Sequence, residues 1–295
     1  MLHGLMVVNA FLKTNKFDDI YHTLRSAAEK ENIRLEVLTN AEVVSQICCG
    51  SFSVNDFDFC LFWDKDVQLA QQLEQDGLRL FNSASAIRKC DDKALTWLSL
   101  RKNPEITLPE TVLAPKTFSN IGYPNVDFLG AIAERFGFPV IVKECFGSFG
   151  QQVYLANDME ELESLTKKLQ GVPILFQKPV LESMGQDVRI NVVGDKVEAS
   201  ILRHSDNGDF RSNLTLGGSM ENYTPTEAEA KLALLAVKAL GLDFAGVDVL
   251  FGKDGPVLCE VNSNAHFKTT LECTGINMAE KIMHHINACM ERDLP

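Results

Sequence analysis

Asp248, Glu260 and Asn262 are the residues whose types and spacing point most directly to chemistry. Asp248 sits in the apolar run Gly246-Val247-Asp248-Val249-Leu250-Phe251, and Glu260 and Asn262 close a second, Val257-Leu258-Cys259-Glu260-Val261-Asn262. Both runs read as buried strands, and residues two apart on a strand face the same way. Glu260 and Asn262 therefore point to one side, where a neighbouring strand can bring Asp248 beside them. Two carboxylates and an amide oxygen are hard ligands. They suit Mg²⁺, which takes few protein ligands and keeps waters or phosphate oxygens in its other positions. The alternative is a strand that merely ends in polar residues.

A second constellation could handle phosphate. Phe146-Gly147-Ser148-Phe149-Gly150 lies between two strand-like runs. The glycines let backbone N–H groups approach phosphates closely. No Gly-Lys-Ser/Thr follows, so this is not a P-loop, and a tight turn is the plain alternative. Lys143 ends the preceding strand, where an unpaired buried lysine would be costly. Lys143 and Lys93 are candidates to neutralise nucleotide phosphates, with a solvated helix-start lysine the equal alternative for Lys93. Asp187 and Arg189 share a strand face, Arg203 lies on the next strand, and Arg211 and Asn213 follow in Asp209-Phe210-Arg211-Ser212-Asn213. The planar guanidinium suits phosphate. Three near a Mg²⁺–phosphate site would clamp a phosphoryl group in transfer, although exposed strand charge explains any one alone. Trp63 and Trp97 read as core. His204, His284 and His285 lack the setting of metal ligands, and adjacent helical residues do not easily face one ion.

The elements that must position these residues follow from periodicity. Strand and helix signals alternate over the first part: strands at 5–9, 34–39, 57–63 and 78–81, helices at 17–31 and 67–75. Such alternation predicts a parallel sheet flanked by helices. A helix at 93–102 follows the polar stretch Lys89-Cys90-Asp91-Asp92, and 103–124, rich in Pro, Thr and Asn, reads as a linker with one strand. Strands at 140–143, 153–155 and 174–177 with a helix at 159–169 form a small unit. From Asp187 onward the strands lengthen, with a hairpin turn at Gly194-Asp195, and helices span 227–240 and 278–290.

Composition narrows the class. The 295 residues carry a formal net charge of −12, which argues against nucleic acid and anionic membrane as partners. No run is long enough to span a bilayer, and the apolar start reads as a core strand rather than a signal peptide. The eight cysteines are scattered, without the spacing of a zinc or thioredoxin motif. A reducing, cytoplasmic setting is the natural expectation.

Several ordered matches now carry a resemblance to the RimK-like glutamate ligases of the ATP-grasp fold. They are Phe81-Asn82-Ser83 with Asp92-Lys93, Phe138 to Lys143, Gly185-Gln186-Asp187-Val188-Arg189, Gly208 to Asn213 with Gly217-Gly218, Leu240 to Asp248, and Glu260-Val261-Asn262. The resemblance implies an α/β chain: an N-terminal Rossmann-like parallel-sheet domain over 1–90, a linker and small ATP-grasp subdomain over 91–185, and a large subdomain over 186–295. It implies an ATP-dependent carboxylate–amine ligase that works through an acyl phosphate, with an amino acid such as glutamate as one substrate. The cofactors would be ATP and Mg²⁺, or Mn²⁺ in its place. Asp248, Glu260 and Asn262 would hold the metal, and Lys93, Lys143, Gly147, Ser148 and Gly150 the phosphates. Asp187 and Arg189 would belong to the nucleotide site, and Arg203, Arg211 and Asn213 would act in catalysis. Adenine would be read at Gln177, at the Lys178 carbonyl and at the Val180 N–H.

Two departures stand out. Lys178-Pro179 replaces the Glu–aromatic pair usual in the family, and Ser263-Asn264-Ala265-His266-Phe267-Lys268-Thr269 replaces a small residue followed by Ser, Pro and Gly. The second argues against tail glutamylation and makes the loop 264–270, with Asn264, His266 and Lys268 and with help from the N-terminal domain, the expected substrate-selecting segment. The partners would be a carboxylate, on a small molecule, a peptide or a carrier protein, and an amine. The same reading leaves open a homo-oligomer. A nucleotide-binding protein that kept the fold without catalysis is the competing function, and a bicarbonate-using relative a weaker third. Neutralising Asp248 or Glu260 is expected to abolish turnover and spare folding.

Overall fold

Short apolar runs separated by amphipathic helices build the first sheet in a computed structural model that describes residues 1–12, 14–147, 150–206, 208–212 and 218–292. Strands β1 (Leu2–Val8), β2 (Ile33–Thr39), β3 (Phe59–Trp63) and β4 (Leu80–Phe81) lie in the order β2-β1-β3-β4, all parallel. Every residue of β3 is buried, as a parallel strand covered on both faces requires. Helices α1 (Asn15–Lys30), α2 (Asn40–Cys48) and α3 (Val67–Gln75) supply the cover. Ile20, Leu24 and Ala28 of α1, and Leu69 and Leu73 of α3, are buried as their period predicts.

The polar stretch before residue 93 is not a lead-in. It ends a helix, α4 (Ala84–Asp91), which is followed at once by α5 (Lys93–Leu100). Ser83 caps α4 and Asp92 caps α5 through their side-chain oxygens. The buried residues Ala84, Ala86, Ile87 and Cys90 explain why this charged segment is helical.

The second sheet is antiparallel. It contains β5 (Thr111–Leu113), β6 (Val140–Glu144), β7 (Val153–Ala156) and β8 (Ile174–Gln177) in the order β5-β8-β6-β7, backed by α6 (Phe128–Phe136) and α7 (Met159–Lys168). The third sheet contains β9 (Gln186–Val193), β10 (Lys196–Ser205), β11 (Gly218–Asn222), β12 (Phe244–Gly252) and β13 (Gly255–Asn262), ordered β11-β10-β9-β12-β13 and antiparallel. Gly194, at φ +58°, makes the β9–β10 turn, a left-handed position that glycine occupies without strain. Helices α8 (Glu227–Leu240), α9 (Lys268–Thr274) and α10 (Met278–Arg292) complete the chain. The loop expected over 264–270 therefore ends at Phe267, because Lys268 already begins α9.

The cores do not follow sequence order. One unites Met6, Phe59 and Trp63 of the first sheet with Val193, Phe244 and the buried face of α10, Met283 and Ile286 included. Another joins Ala86, Cys90 and Leu100 of α4 and α5 to the third sheet and α8. The eight cysteines are free thiols. Among the described residues no helix is long and apolar enough to cross a membrane.

Candidate active site

The ends of the three sheets enclose a cleft of about 450 Å³. It gathers most of the side chains that the sequence singled out.

Asp248 and Glu260 are cross-strand partners on β12 and β13, with Asn262 two residues further along, opposite Gly246. A bulge follows Asp248 and twists the strand locally. The three oxygen donors thus line one wall of the cleft, as their spacing predicts. This donor set is all hard oxygen and fits Mg²⁺. Lone pairs remain after the contacts that Asp248 and Glu260 make, and Asn262 makes no side-chain hydrogen bond among the described residues. Bound there, Mg²⁺ would neutralise phosphate oxygens.

The arginines differ from expectation. Arg203 grips Asp187 with two bonds, Nε to Oδ1 at 2.6 Å and Nη2 to Oδ2 at 2.5 Å, and its Nη2 lies 3.1 Å from Asp248 Oδ1. Arg189 donates from Nε to Asp248 Oδ1 and from Nη2 to Asp248 Oδ2, the latter at 2.8 Å. Register causes this: Arg203 sits opposite Asp187, and Asp248 opposite Arg189, on adjacent strands. Buried charges must be paired, so these two arginines form a neutral quartet with the two aspartates instead of an open clamp. Burial works against the Asp248 carboxylate, yet Arg189 and Arg203 outweigh it and hold the group below the ordinary range. For Asp187, burial and then the Asp248 charge prevail over Arg203 and raise it. Burial also opposes the Arg203 charge, but Asp248 and Asp187 keep it firmly protonated.

Arg211, beyond β10, also lines the cleft. It forks onto Asp209, Nη2 to Oδ2 at 2.7 Å, and its Nη1 donates to the Gly150 carbonyl at 2.7 Å. Lys93 Nζ donates to the Gly147 carbonyl at 3.2 Å and lies 3.5 Å from Glu260. Both cations thus touch the glycine-rich segment. Lys143 is 8% exposed and faces the cleft, and no carboxylate pairs with it among the described residues. Ser148 and Asn213 lie outside the described residues.

The strand end at β8 forms the remaining wall. Gln177 is buried and donates to Thr111 Oγ1 at 3.0 Å. Lys178 N–H donates to the Glu110 carbonyl at 2.9 Å. Its own carbonyl and the Val180 N–H engage no partner among the described residues. One free acceptor and one free donor beside Ile141 and Leu250, which also line the cleft, fit the edge of a purine.

The first sheet and α1 contribute residues that sequence reasoning missed: Asn9, Phe17, Tyr21, Asp64 and Lys65 line the cleft, with Trp63 between core and cleft. Trp63 stacks on Phe244 at 5.8 Å. Asp64 accepts from Asn9 Nδ2 at 3.1 Å and from the Lys65 N–H at 2.7 Å. Burial raises its carboxyl, and the charges of Asp66 and Asp91 add to the rise. Burial and Asp64 together push the Tyr21 hydroxyl up to about 12. Asn9 and Asp64 each follow the carboxyl end of a parallel strand, which is where open α/β sheets bind ligands. A polar residue straight after an apolar strand was the available signal.

Of the three substrate candidates, Asn264 donates to the Asp64 carbonyl at 3.0 Å, and its side-chain oxygen is buried without a partner among the described residues. His266 packs edge-on to Phe17 at 4.8 Å. Lys268 reaches the cleft rim, where its ammonium pairs with Asp19 of α1 instead of facing an open carboxylate site.

The RimK-like ATP-grasp domain matches residues 90–286. A probable alpha-L-glutamate ligase of a Shewanella species is 39% identical over 220 residues, covering 74% of this chain and 70% of its own. The N-acetylaspartylglutamate synthase A of Homo sapiens is 38% identical over 206 residues, covering 69% of this chain and 51% of its own. The ATP complex of D-alanine–D-alanine ligase from Bacillus anthracis superimposes with a TM-score of 0.74 at 19% identity, over 99% of this chain and 98% of that one. That likeness extends the shared fold over the first sheet. With the cleft and its oxygen and lysine groups in place, the chain belongs to the RimK-like ATP-grasp family of ATP-dependent carboxylate–amine ligases, which form C–N bonds with ATP and Mg²⁺.

Proposed function

We propose that the cleft joins a small-molecule carboxylate to the amine of an amino acid, with the nucleotide between the second and third sheets and the amine beside the first. The carrying observation is Lys143: a buried lysine without a carboxylate partner among the described residues, lining the same cleft as Asp248, Glu260 and Asn262. Such a cation is costly unless an anion joins it, and a nucleotide phosphate is that anion. Asp248, Glu260 and Asn262 hold the metal, and Lys93, Lys143 and the backbone at Gly147 and Gly150 hold the phosphates. The Lys178 carbonyl and the Val180 N–H read the base. Arg211 stabilises the moving phosphoryl group. Arg203 and Arg189 act by fixing Asp187 and Asp248.

Asp64 supports the amine end. It is a buried carboxylate whose acting charges are negative, so an ammonium would relieve it. The relatives named for glutamate ligation and N-acetylaspartylglutamate synthesis support an acidic amino acid as one substrate. The test is incubation with ATP, Mg²⁺ and pooled carboxylate–amine pairs, read by phosphate release and by mass spectrometry. A product equal to carboxylate plus amine minus water is expected only where phosphate is released. ATP binding with no phosphate release from any pair would overturn the ligase reading.

A further inference from the structure

Away from the cleft, three residues from two elements meet behind the third sheet. His285 and Cys289 lie one turn apart on α10, and Asp243 immediately precedes β12. His285 Nε2 is 3.4 Å from Asp243 Oδ1 and 3.6 Å from Cys289 Sγ. The three donor atoms all lie within 4.8 Å of one another. From the sequence, His285 had no metal-ligand setting. The fold supplies one, because turn spacing puts Cys289 on its face and the β12 start brings Asp243.

Both neighbours converge on the same ring nitrogen. A Cys–His–Asp catalytic relay needs the aspartate on the other nitrogen, Nδ1. Here a Cβ built on Gly194 would lie 3.0 Å from Nδ1, so Nδ1 faces the β9–β10 turn. Nor do two ordinary hydrogen bonds explain the arrangement. A protonated Nε2 would split its one N–H between Asp243 and the sulfur, a weak acceptor, and an unprotonated one would turn a lone pair on the Asp243 carboxylate. A shared cation satisfies all three donors. With Zn–N and Zn–O near 2.0–2.1 Å and Zn–S near 2.3 Å, tetrahedral geometry sets N···O and N···S edges of about 3.3 and about 3.6 Å. The observed N···O and N···S edges, 3.4 and 3.6 Å, match.

We infer that Asp243, His285 and Cys289 form a binding site for a borderline divalent transition ion of the Zn²⁺ class. A mixed sulfur, nitrogen and oxygen donor set selects such an ion over Mg²⁺ or Ca²⁺. The supporting shell is built. Arg292 Nη2 donates to Cys289 Sγ at 3.2 Å, a bond that a metal-bound thiolate accepts. Asp243 is held by its N–H to Asn82 Oδ1 at 2.6 Å and by its carbonyl, which accepts from the Gly194 N–H at 2.7 Å. Cys289 is 8% exposed, and the Asp243 and His285 side chains are 27% and 18% exposed, which leaves one side for a water as fourth ligand. Asp243 stands five residues before Asp248, roughly 16 Å along an extended strand. The ion would tie α10 to the third sheet without entering the cleft.

The test uses the full chain, reduced and stripped of metal, titrated with Co²⁺ while Mg²⁺ and ATP saturate the oxygen-lined cleft. Sulfur-to-cobalt charge-transfer absorption should grow to one equivalent and collapse when Zn²⁺ is added. Cys289→Ser should lose it. Should Cys289→Ser fail to fold by circular dichroism, His285→Gln keeps the sulfur and decides, with Co²⁺ affinity expected to fall by at least about tenfold. Absence of the band in the wild-type chain, or an unchanged affinity in His285→Gln, overturns the site. Neither result bears on the ligase reading, since no ligation is measured.

Discussion

Asp248 is both a candidate metal ligand and the hub of a buried charge quartet. The second role changes what its substitution does. Glu260 is 31% exposed in its side chain and pairs only with Lys93, at 3.5 Å, among the described residues. Glu260→Gln should abolish ligation with little change in melting temperature. Asp248→Asn should also abolish ligation, but it leaves Arg189 and Arg203 facing a single carboxylate. We expect it to lose about 3–5 kcal/mol, the usual result of breaking a buried pair, against the sequence expectation of spared folding. Because Asp248 is held below its ordinary pKa, its contribution is full above about pH 4 and is lost as pH falls through the folded value. The gap between wild type and Asp248→Asn should therefore narrow in acid, as urea unfolding at several pH values would check. Asp64 has the opposite sign. Its carboxyl is raised, so its charge costs stability above the folded value, and Asp64→Asn should melt higher at neutral pH with the gain vanishing in acid. The same variant should raise KM for the amine by about tenfold or more, since a charge-assisted bond contributes about 1.5–3 kcal/mol, and leave KM for ATP alone. A lower melting temperature at neutral pH, or an unchanged amine KM, would remove Asp64 from the amine site. That Asp248, Glu260 and Asn262 would share one wall was legible because period-two spacing survives whatever surrounds it. The arginine pairings were not, since they depend on which residue of a neighbouring strand stands opposite.

Among the elements, those with one clean apolar stripe were read closely: α3 and α8 fall at 67–75 and 227–240, as their periods require. Helices α2, α4 and α6 went unread. Helix α4 carries Arg88, Lys89 and Asp91 in its last turn, and those charges mask the buried residues at 84, 86, 87 and 90. Strand β11 is mostly exposed, with no alternation to read. The glycine-rich segment shows how elements cooperate. Its stem is fixed: the Lys93 N–H donates to the Cys145 carbonyl at 2.9 Å, the Cys145 N–H to Pro173 at 2.8 Å, and the Glu144 N–H to Gln152 at 3.0 Å. Its glycine carbonyls are held by Lys93 and Arg211, the two cations that phosphates would compete for. Adding Mg²⁺ and ATP should change amide exchange at Gly147 and Gly150 while Cys145 and Glu144 stay protected. Equal exchange at the glycines with and without nucleotide would remove the segment from the phosphate site.

At the scale of the molecule, α10 is the common wall of the first and third sheets, and Ile286 and Met283 are fully buried there. The first sheet therefore lacks a core of its own on that face. Calorimetry should show the first and third sheets melting in one transition, and Ile286→Ala should lower it as a whole, by about 2–5 kcal/mol for a buried large-to-small change. Separate transitions would contradict the shared core. The division near residue 90 came with the family resemblance, which does not report that α4 and α5 pack on the third sheet.

The quartet of Asp187, Arg189, Arg203 and Asp248 has a further consequence, in its response to dissolved salt. Its side chains are between 7% and 13% exposed, so mobile ions do not reach between them. Screening acts on charges in water, over about 8 Å at physiological ionic strength. Lys178, at the rim, stands differently and is 49% exposed. Raising potassium chloride should weaken contacts to the rim and leave the alignment of Asp248 untouched. Turnover at saturating substrates would then hold steady across ionic strengths that shift the apparent affinity for the nucleotide.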